Sequence, residues 1–106
     1  MPENHYHRFF ELFATPLRIE IIKQLKLKGS MNVTQICHAL GEEQSKVSHN
    51  LKRLLLCNIV RVNQMGNFRY YELNKDTILP LLQLIDKHVQ TWCKECQLER
   101  RKKGYG

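Results

Sequence analysis

Two groups of residues in this chain have types and spacings suited to chemistry. The first is a run of polar and basic side chains, Gln44, Ser45, Lys46, Ser48, His49, Lys52 and Arg53, threaded through an apolar repeat of Val47, Leu51, Leu54 and Leu55. If the apolar set faces a core, the helical period turns Ser45, Ser48, His49 and Lys52 to the opposite side, with Gln44 and Lys46 in the first turn and Arg53 on one flank. Such side chains read base edges: Gln and Asn pair bidentately with adenine, Ser suits several bases, and Lys favours guanine or phosphate. The helix N-terminus adds attraction for a phosphate. A solvated helix face is the plain alternative for the same pattern.

The second group is Cys93-Lys94-Glu95-Cys96. Three residues apart on a helix, the two sulfurs share neighbouring surface and could hold one soft or zinc-like metal ion, with His88, Glu99 or a partner's His5-Tyr6-His7 arm as further donors. The adjacent lysine and a basic tail favour thiolate and so oxidation chemistry. Against both uses, Cys96 also falls on an apolar stripe and could simply pack. Cys37 and Cys57 follow apolar periodicity and are expected in the core. His5 and His7 are expected to be solvated.

The elements that must position these groups are legible from punctuation. A helix from about His5 to Ala14 carries Phe9, Phe10, Leu12 and Phe13, and Thr15-Pro16 ends it and starts the next with Thr15 as cap. Leu17, Ile21, Ile22 and Leu25 form the inner side of that second helix, which stops near Lys28-Gly29. Asn32 with Gln35 makes a capping-box pattern before Val33, Ile36, Cys37 and Leu40, and Gly41 is a natural stop. The fourth helix runs from Glu43 or Gln44 to about Leu56, so the short third helix and the fourth form a helix-turn-helix candidate.

After Asn58 the period changes. Ile59–Asn63 and Phe68–Leu73 are β-branched or aromatic runs around Met65-Gly66-Asn67, a hairpin with Arg61, Asn63, Gln64, Asn67 and Arg69 about its tip. From Thr77 one stripe of Ile78, Leu82, Ile85, Val89, Trp92 and Cys96, widened by Leu81 and Leu84, predicts a closing helix over 77–99, with Pro80 tolerated in its first turn. The fold class is mainly α with a β-hairpin wing, in the order α-α-α-α-β-β-α.

With 106 residues there is room for a single domain, 1–106, ending in a basic flexible tail over 100–106. Seventeen Lys and Arg against ten Asp and Glu leave a net charge of +7, which makes nucleic acid the first partner to test, although such a surplus also serves solubility. A mean hydropathy of −0.46 and the absence of an 18-residue apolar run exclude a membrane span. The sequence MPENHYHRFF lacks the apolar stretch of a signal peptide, so the expected location is the cytoplasm, where cysteines stay reduced. Nothing resembles a phosphate-binding loop or a catalytic constellation. A thiol oxidoreductase would place its C-x-x-C after a strand in a βαβ unit, which this order of elements does not offer.

Three motifs resemble the ArsR/SmtB repressors. Pro16-Leu17-Arg18-Ile19-Glu20-Ile21-Ile22 is similar to the family's P-x-R-x-x-I signature. The stretch from Gln44 to Leu54 resembles its S-x-V-S-x-x-L-x-x-L recognition helix, and Gly66-Asn67-Phe68-Arg69-Tyr70-Tyr71-Glu72-Leu73 resembles its G-x-x-x-Y-Y-x-L wing. The resemblance spans roughly Phe9 to Leu98. It implies a homodimer on a palindromic operator in double-stranded DNA, usually repressing, with Gln44, Ser45, Ser48 and His49 at base-reading positions and the hairpin as wing. With the charge pattern, Lys46, Lys52, Arg53, Asn67 and Arg69 complete the expected DNA contacts. Phe9, Phe10 and Phe13 of the first helix, with Ile78, Leu82, Ile85, Val89 and Trp92 of the closing helix, are expected at the dimer interface.

The family's sensor sites transfer poorly. Its thiolate pair near the third helix would fall at Asn32 and Thr34. Its closing-helix zinc ligands would fall at Lys75, Thr77, His88 and Thr91, of which only His88 could ligate. The fourth-helix cysteine pair would need a thiol where Arg53 stands, and the redox pair one where Lys23 stands. Asp86-Lys87-His88 cannot serve, because two residues on a helix are separated by roughly 200°. Release by metal binding or oxidation is thus confined to Cys93, Cys96 and His88. The alternative is a ligand-independent or architectural DNA binder in the same fold.

Overall fold

Pro16 decides where the first two helices part. In the computed structural model, which describes residues 5–102 and their side chains through residue 99, α1 is His5–Phe13 and α2 is Pro16–Lys28. Thr15 is extended (φ −78°, ψ 125°) and Pro16 opens α2, where a missing N–H has no helical partner to lose. The Thr15 hydroxyl makes no capping bond, so proline geometry, rather than the side-chain cap expected, sets this boundary. Ile21, Ile22 and Leu25 are buried, while Leu17 is half-buried.

The turn regions behave as their residues dictate. Before α3 (Val33–Leu40) the capping box is complete: Gln35 N donates to Asn32 Oδ1 at 2.8 Å and Asn32 N donates to Gln35 Oε1 at 2.9 Å. Gly41 closes α3 in the left-handed region at φ 64°, a conformation that charges a Cβ-bearing residue about 1 kcal/mol or more. Only Glu42 and Glu43 then separate it from α4 (Gln44–Leu56).

Helix α4 ends in a reciprocal pair of bonds. Asn58 N donates to Leu55 O and Ile59 N to Leu54 O, both at 3.0 Å, with Asn58 itself left-handed at φ 55°. That is a Schellman-type stop with asparagine in place of glycine. It is locked from the far strand: Asn74, buried, donates through Nδ2 to Asn58 O at 2.9 Å and through its backbone N to Ile59 O at 3.0 Å.

The hairpin pairs β1 (Val60–Met65) with β2 (Phe68–Leu73), from Val60 opposite Leu73 to Met65 opposite Phe68. Met65 belongs to the strand, and the turn is the Gly66-Asn67 pair that the sequence pattern marks as a tight hairpin turn. Gly66, at φ 64°, takes the position that a two-residue hairpin turn reserves for glycine. The base of the hairpin buries Val60, Tyr71 and Leu73, and its tip is exposed. A bridge that the sequence pattern did not reveal joins Met31 to Tyr71, with N–H···O bonds of 3.0 and 2.8 Å in the two directions. It ties the wing to the residue just before the α3 cap. Around these elements Ile36, Val47, Leu51, Leu54 and Ile59 are fully buried.

The chain divides into two units, Met1–Asn74 and Lys75–Gly106. In the second, the single closing helix expected over 77–99 is two helices, α5 (Ile78–Thr91) and α6 (Lys94–Lys102). Trp92 N and Cys93 N both donate to His88 O, at 2.7 and 3.2 Å, which ends α5. Gln97 Nε2 then donates to Val89 O and Gln90 O at 2.9 and 2.7 Å, satisfying carbonyls that a helix end leaves open. The apolar period continues across this break, which is why periodicity alone joined the two. The basic tail expected over 100–106 has a helical backbone through Lys102, and its remaining residues lie outside those described.

Candidate nucleic-acid interface

Val47, Leu51 and Leu54 anchor α4 in the core, and that fixes which way its other side points. All nine residues expected on DNA (Gln44, Ser45, Lys46, Ser48, His49, Lys52, Arg53, Asn67 and Arg69) are exposed. Five of them share one groove. Gln44, Ser48 and Lys52 line an open groove with Asn67 and Arg69 of the wing, and Leu55, expected in the core, is half-buried on its wall. Ser45, Lys46 and His49 sit outside that groove. Arg53 borders a different cleft, shared with Arg8 and Arg18.

The far wall of the first groove is the start of α3, with Asn32, Val33 and Thr34 beside Phe68 and Tyr71. Sequence reasoning saw Asn32 as a cap and missed that the cap also borders the groove. No spacing in the sequence signals it, because it depends on the bridge between Met31 and Tyr71. At the wing tip Met65 and Phe68 are opposite each other and exposed, an apolar pair among polar neighbours. The Arg69 guanidinium lies 5.9 Å from the Tyr71 ring centre, a distance at which it is held over the strand by cation–π attraction.

What orients α4 was also missed. Arg18 Nε donates to Asn50 Oδ1 at 2.9 Å and Arg18 Nη1 to Leu12 O at 3.2 Å, while Asn50 Nδ2 donates to Lys46 O at 2.8 Å. One guanidinium thus ties the end of α1 to the middle of the exposed helix. Arg18→Ala should cost about 1–3 kcal/mol in urea unfolding and weaken DNA binding by a folded protein. Arg18→Lys should not restore the affinity, because a single ammonium cannot span both acceptors in the geometry of a planar fork. Wild-type affinity in Arg18→Ala would show that this tie does not orient the helix.

Several thiol expectations change, and the expected interface residues differ in exposure. Cys57 is exposed and Cys37 half-buried, so neither is a core residue; Cys57 caps α4 where its buried side has run out. Cys93 and Cys96 are brought into mutual hydrogen-bonding contact, with Cys96 exposed. The Cys96 thiol and backbone N–H hold the Cys93 pKa below the ordinary thiol value, and the same thiol contact raises that of Cys96. His88 does not join them: among the described residues no three of His, Cys, Asp and Glu form a group able to hold a metal ion. His7 instead pairs with Glu11 at 3.0 Å. Of the expected interface residues Ile78 is already buried within the single chain, Phe9, Phe13, Leu82 and Val89 are half-buried, and Phe10, Ile85 and Trp92 are exposed, Trp92 by 71%. Among the described residues no helix is long and apolar enough to cross a membrane.

A short capped helix, an exposed polar helix beyond a tight turn, and a hairpin pinned beside it define a winged helix-turn-helix regulator. Residues 15–62 match the family described as "Bacterial regulatory protein, arsR family". The chain is 32% identical over 78 residues to an uncharacterized HTH-type transcriptional regulator of Methanocaldococcus jannaschii, covering 74% of this chain and 88% of that protein. It is 32% identical over 77 residues to the arsenical resistance operon repressor of Bacillus subtilis, covering 73% of each. The crystal structure of the transcriptional repressor PagR of Bacillus anthracis matches with a TM-score of 0.66 at 28% identity, over 76% of this chain and 91% of that one. The chain belongs to the arsR family of bacterial regulatory proteins, and its relatives and fold are those of DNA-binding transcriptional regulators rather than enzymes.

Proposed function

We propose that this regulator acts in the cytoplasm as a homodimer that represses transcription from a palindromic operator. Two copies of α4 would enter successive major grooves about 34–36 Å apart, with Gln44, Ser45, Ser48 and His49 at base edges. Lys46, Lys52, Arg53 and Arg69 would meet phosphates, and the wing would lie along the flanking backbone. The observation that carries this reading is the groove in which Gln44, Ser48 and Lys52 meet Asn67 and Arg69. Helix and wing there offer donors to one duplex together. The exposed apolar side chains Phe10, Ile85 and Trp92 support pairing through α1 and α5, since a single short chain gains stability by covering such surface in a second copy.

The test is a gel-shift titration with operator DNA selected from a random pool. Ser48→Ala combined with His49→Ala should abolish preference for the selected sequence and leave weak nonspecific binding, since each good base contact contributes about 1–3 kcal/mol of discrimination. Undiminished preference would overturn the assignment of the reading side. A metal-released version of this regulator would need donors from beyond one chain's Cys93 and Cys96. The ligand-independent version predicts that metals and oxidants leave its DNA affinity unchanged.

A further inference from the structure

We propose that Cys93 and Cys96 form a redox-active dithiol that a low-molecular-weight disulfide converts to an intrachain disulfide at the junction of α5 and α6. The break in the closing segment creates this site. Gln97 N donates to Cys93 O at 3.1 Å, so Cys93 is the residue whose carbonyl takes the first helical bond of α6, and Cys96 follows in its first turn. Helical geometry puts the two Cα atoms about 5 Å apart, inside the range that an unstrained disulfide spans. On an unbroken helix Cys93 would sit mid-turn, its backbone surroundings occupied by helical bonds. At the start of α6 its sulfur instead faces open N–H groups, and the Cys96 amide is among those that stabilise it.

The chemistry follows from that asymmetry. The Cys93 thiolate attacks one sulfur of the small disulfide, breaking its S–S bond; one thiolate leaves and takes up a proton. Cys96 then loses its proton and attacks the Cys93 sulfur of the mixed disulfide, expelling the second small thiol. Two protein thiols are oxidised and one small disulfide is reduced to two thiols, so the exchange balances without another oxidant. Cys93 attacks first because the Cys96 thiol and backbone N–H lower its pKa and so favour its thiolate; Cys96, exposed and three residues on, resolves. Neither Cys37 nor Cys57 has another cysteine within one helical turn of it in the sequence. The proposal stands whether or not the chain binds DNA.

The experiment treats the reduced full chain with oxidised glutathione, labels the remaining thiols with an alkylating reagent, and reads each cysteine by peptide mass spectrometry. In the wild type Cys93 and Cys96 should lose two hydrogens together and escape the label, whereas Cys37 and Cys57 take it. Cys96→Ser should accumulate a glutathione adduct on Cys93, and Cys93→Ser should form an adduct on Cys96 more slowly. Cys96 is exposed and Cys93 half-buried, and neither belongs to the buried core; circular dichroism of each variant verifies the fold. Full labelling of Cys93 and Cys96 after exposure, a disulfide joining either to another cysteine or to a second chain, or equal adduct rates in the two variants would overturn the proposal.

Discussion

Raising the salt from 50 to 200 mM should weaken binding to the selected operator by about 10³–10⁵-fold. The expectation comes from the side chains that the fold leaves free to meet phosphates. Lys46, Lys52, Arg53 and Arg69 are all exposed, and in the proposed dimer each acts twice. Counterion release then gives a slope of log affinity against log salt of about −7. The ion pair between Lys46 and Glu42 is 3.9 Å long and exposed, and an exposed pair of that kind holds its lysine by about 0–1 kcal/mol, too little to keep it from DNA. Lys52→Ala should flatten the slope by about 2 and weaken binding to all sequences alike, whereas a change at Ser48 should alter sequence preference and leave the slope in place. A wild-type slope near zero would remove the phosphate contacts from the proposed function. A normal slope with no sequence preference would leave those contacts and remove the reading side.

The helix that carries these contacts was legible because its information is local. Val47, Leu51 and Leu54 recur at the helical period, and once they point inward the positions of Ser45, Ser48, His49 and Lys52 follow from geometry. The Asn32–Gln35 box, Gly41 and Gly66 are local in the same way: each is a residue type demanded by a few neighbouring dihedrals. The Arg18–Asn50 bond and the Met31–Tyr71 bridge join residues far apart in sequence, and no spacing announces them. Local pattern misled at two places. Apolar periodicity ran through Trp92 into Cys96 and joined two helices that backbone and Gln97 bonds separate. It also placed Cys57 in the core, although the turn it belongs to has already left the buried side. Ile78, buried in the single chain, marks a different limit: a stripe shows which residues avoid water, and not whether their own chain or a second copy covers them.

Leu51→Ala should lower the stability of the domain by about 2–5 kcal/mol. Leu51 is fully buried, as are Val47 and Leu54 on the same side of α4, so truncation removes apolar contact where the reading helix is seated and leaves a cavity under it. Against a total of about 5–15 kcal/mol for a small domain, that is a large share, and the thermal midpoint should fall by roughly 10–30 °C. Urea unfolding followed by circular dichroism measures it, with the midpoint shifted and the slope retained if the native state is otherwise intact. Operator affinity should fall as well, by a route different from that of Arg18→Ala. In Leu51→Ala the loss tracks the unfolded fraction and should shrink where cooling or a stabilising osmolyte restores the fold. In Arg18→Ala the loss should persist in folded protein, because the seat of α4 is intact and only the tie through Asn50 is gone. If Leu51→Ala unfolds at the wild-type midpoint, α4 is not seated through this side, and the outward direction assigned to Ser48 and His49 falls with it.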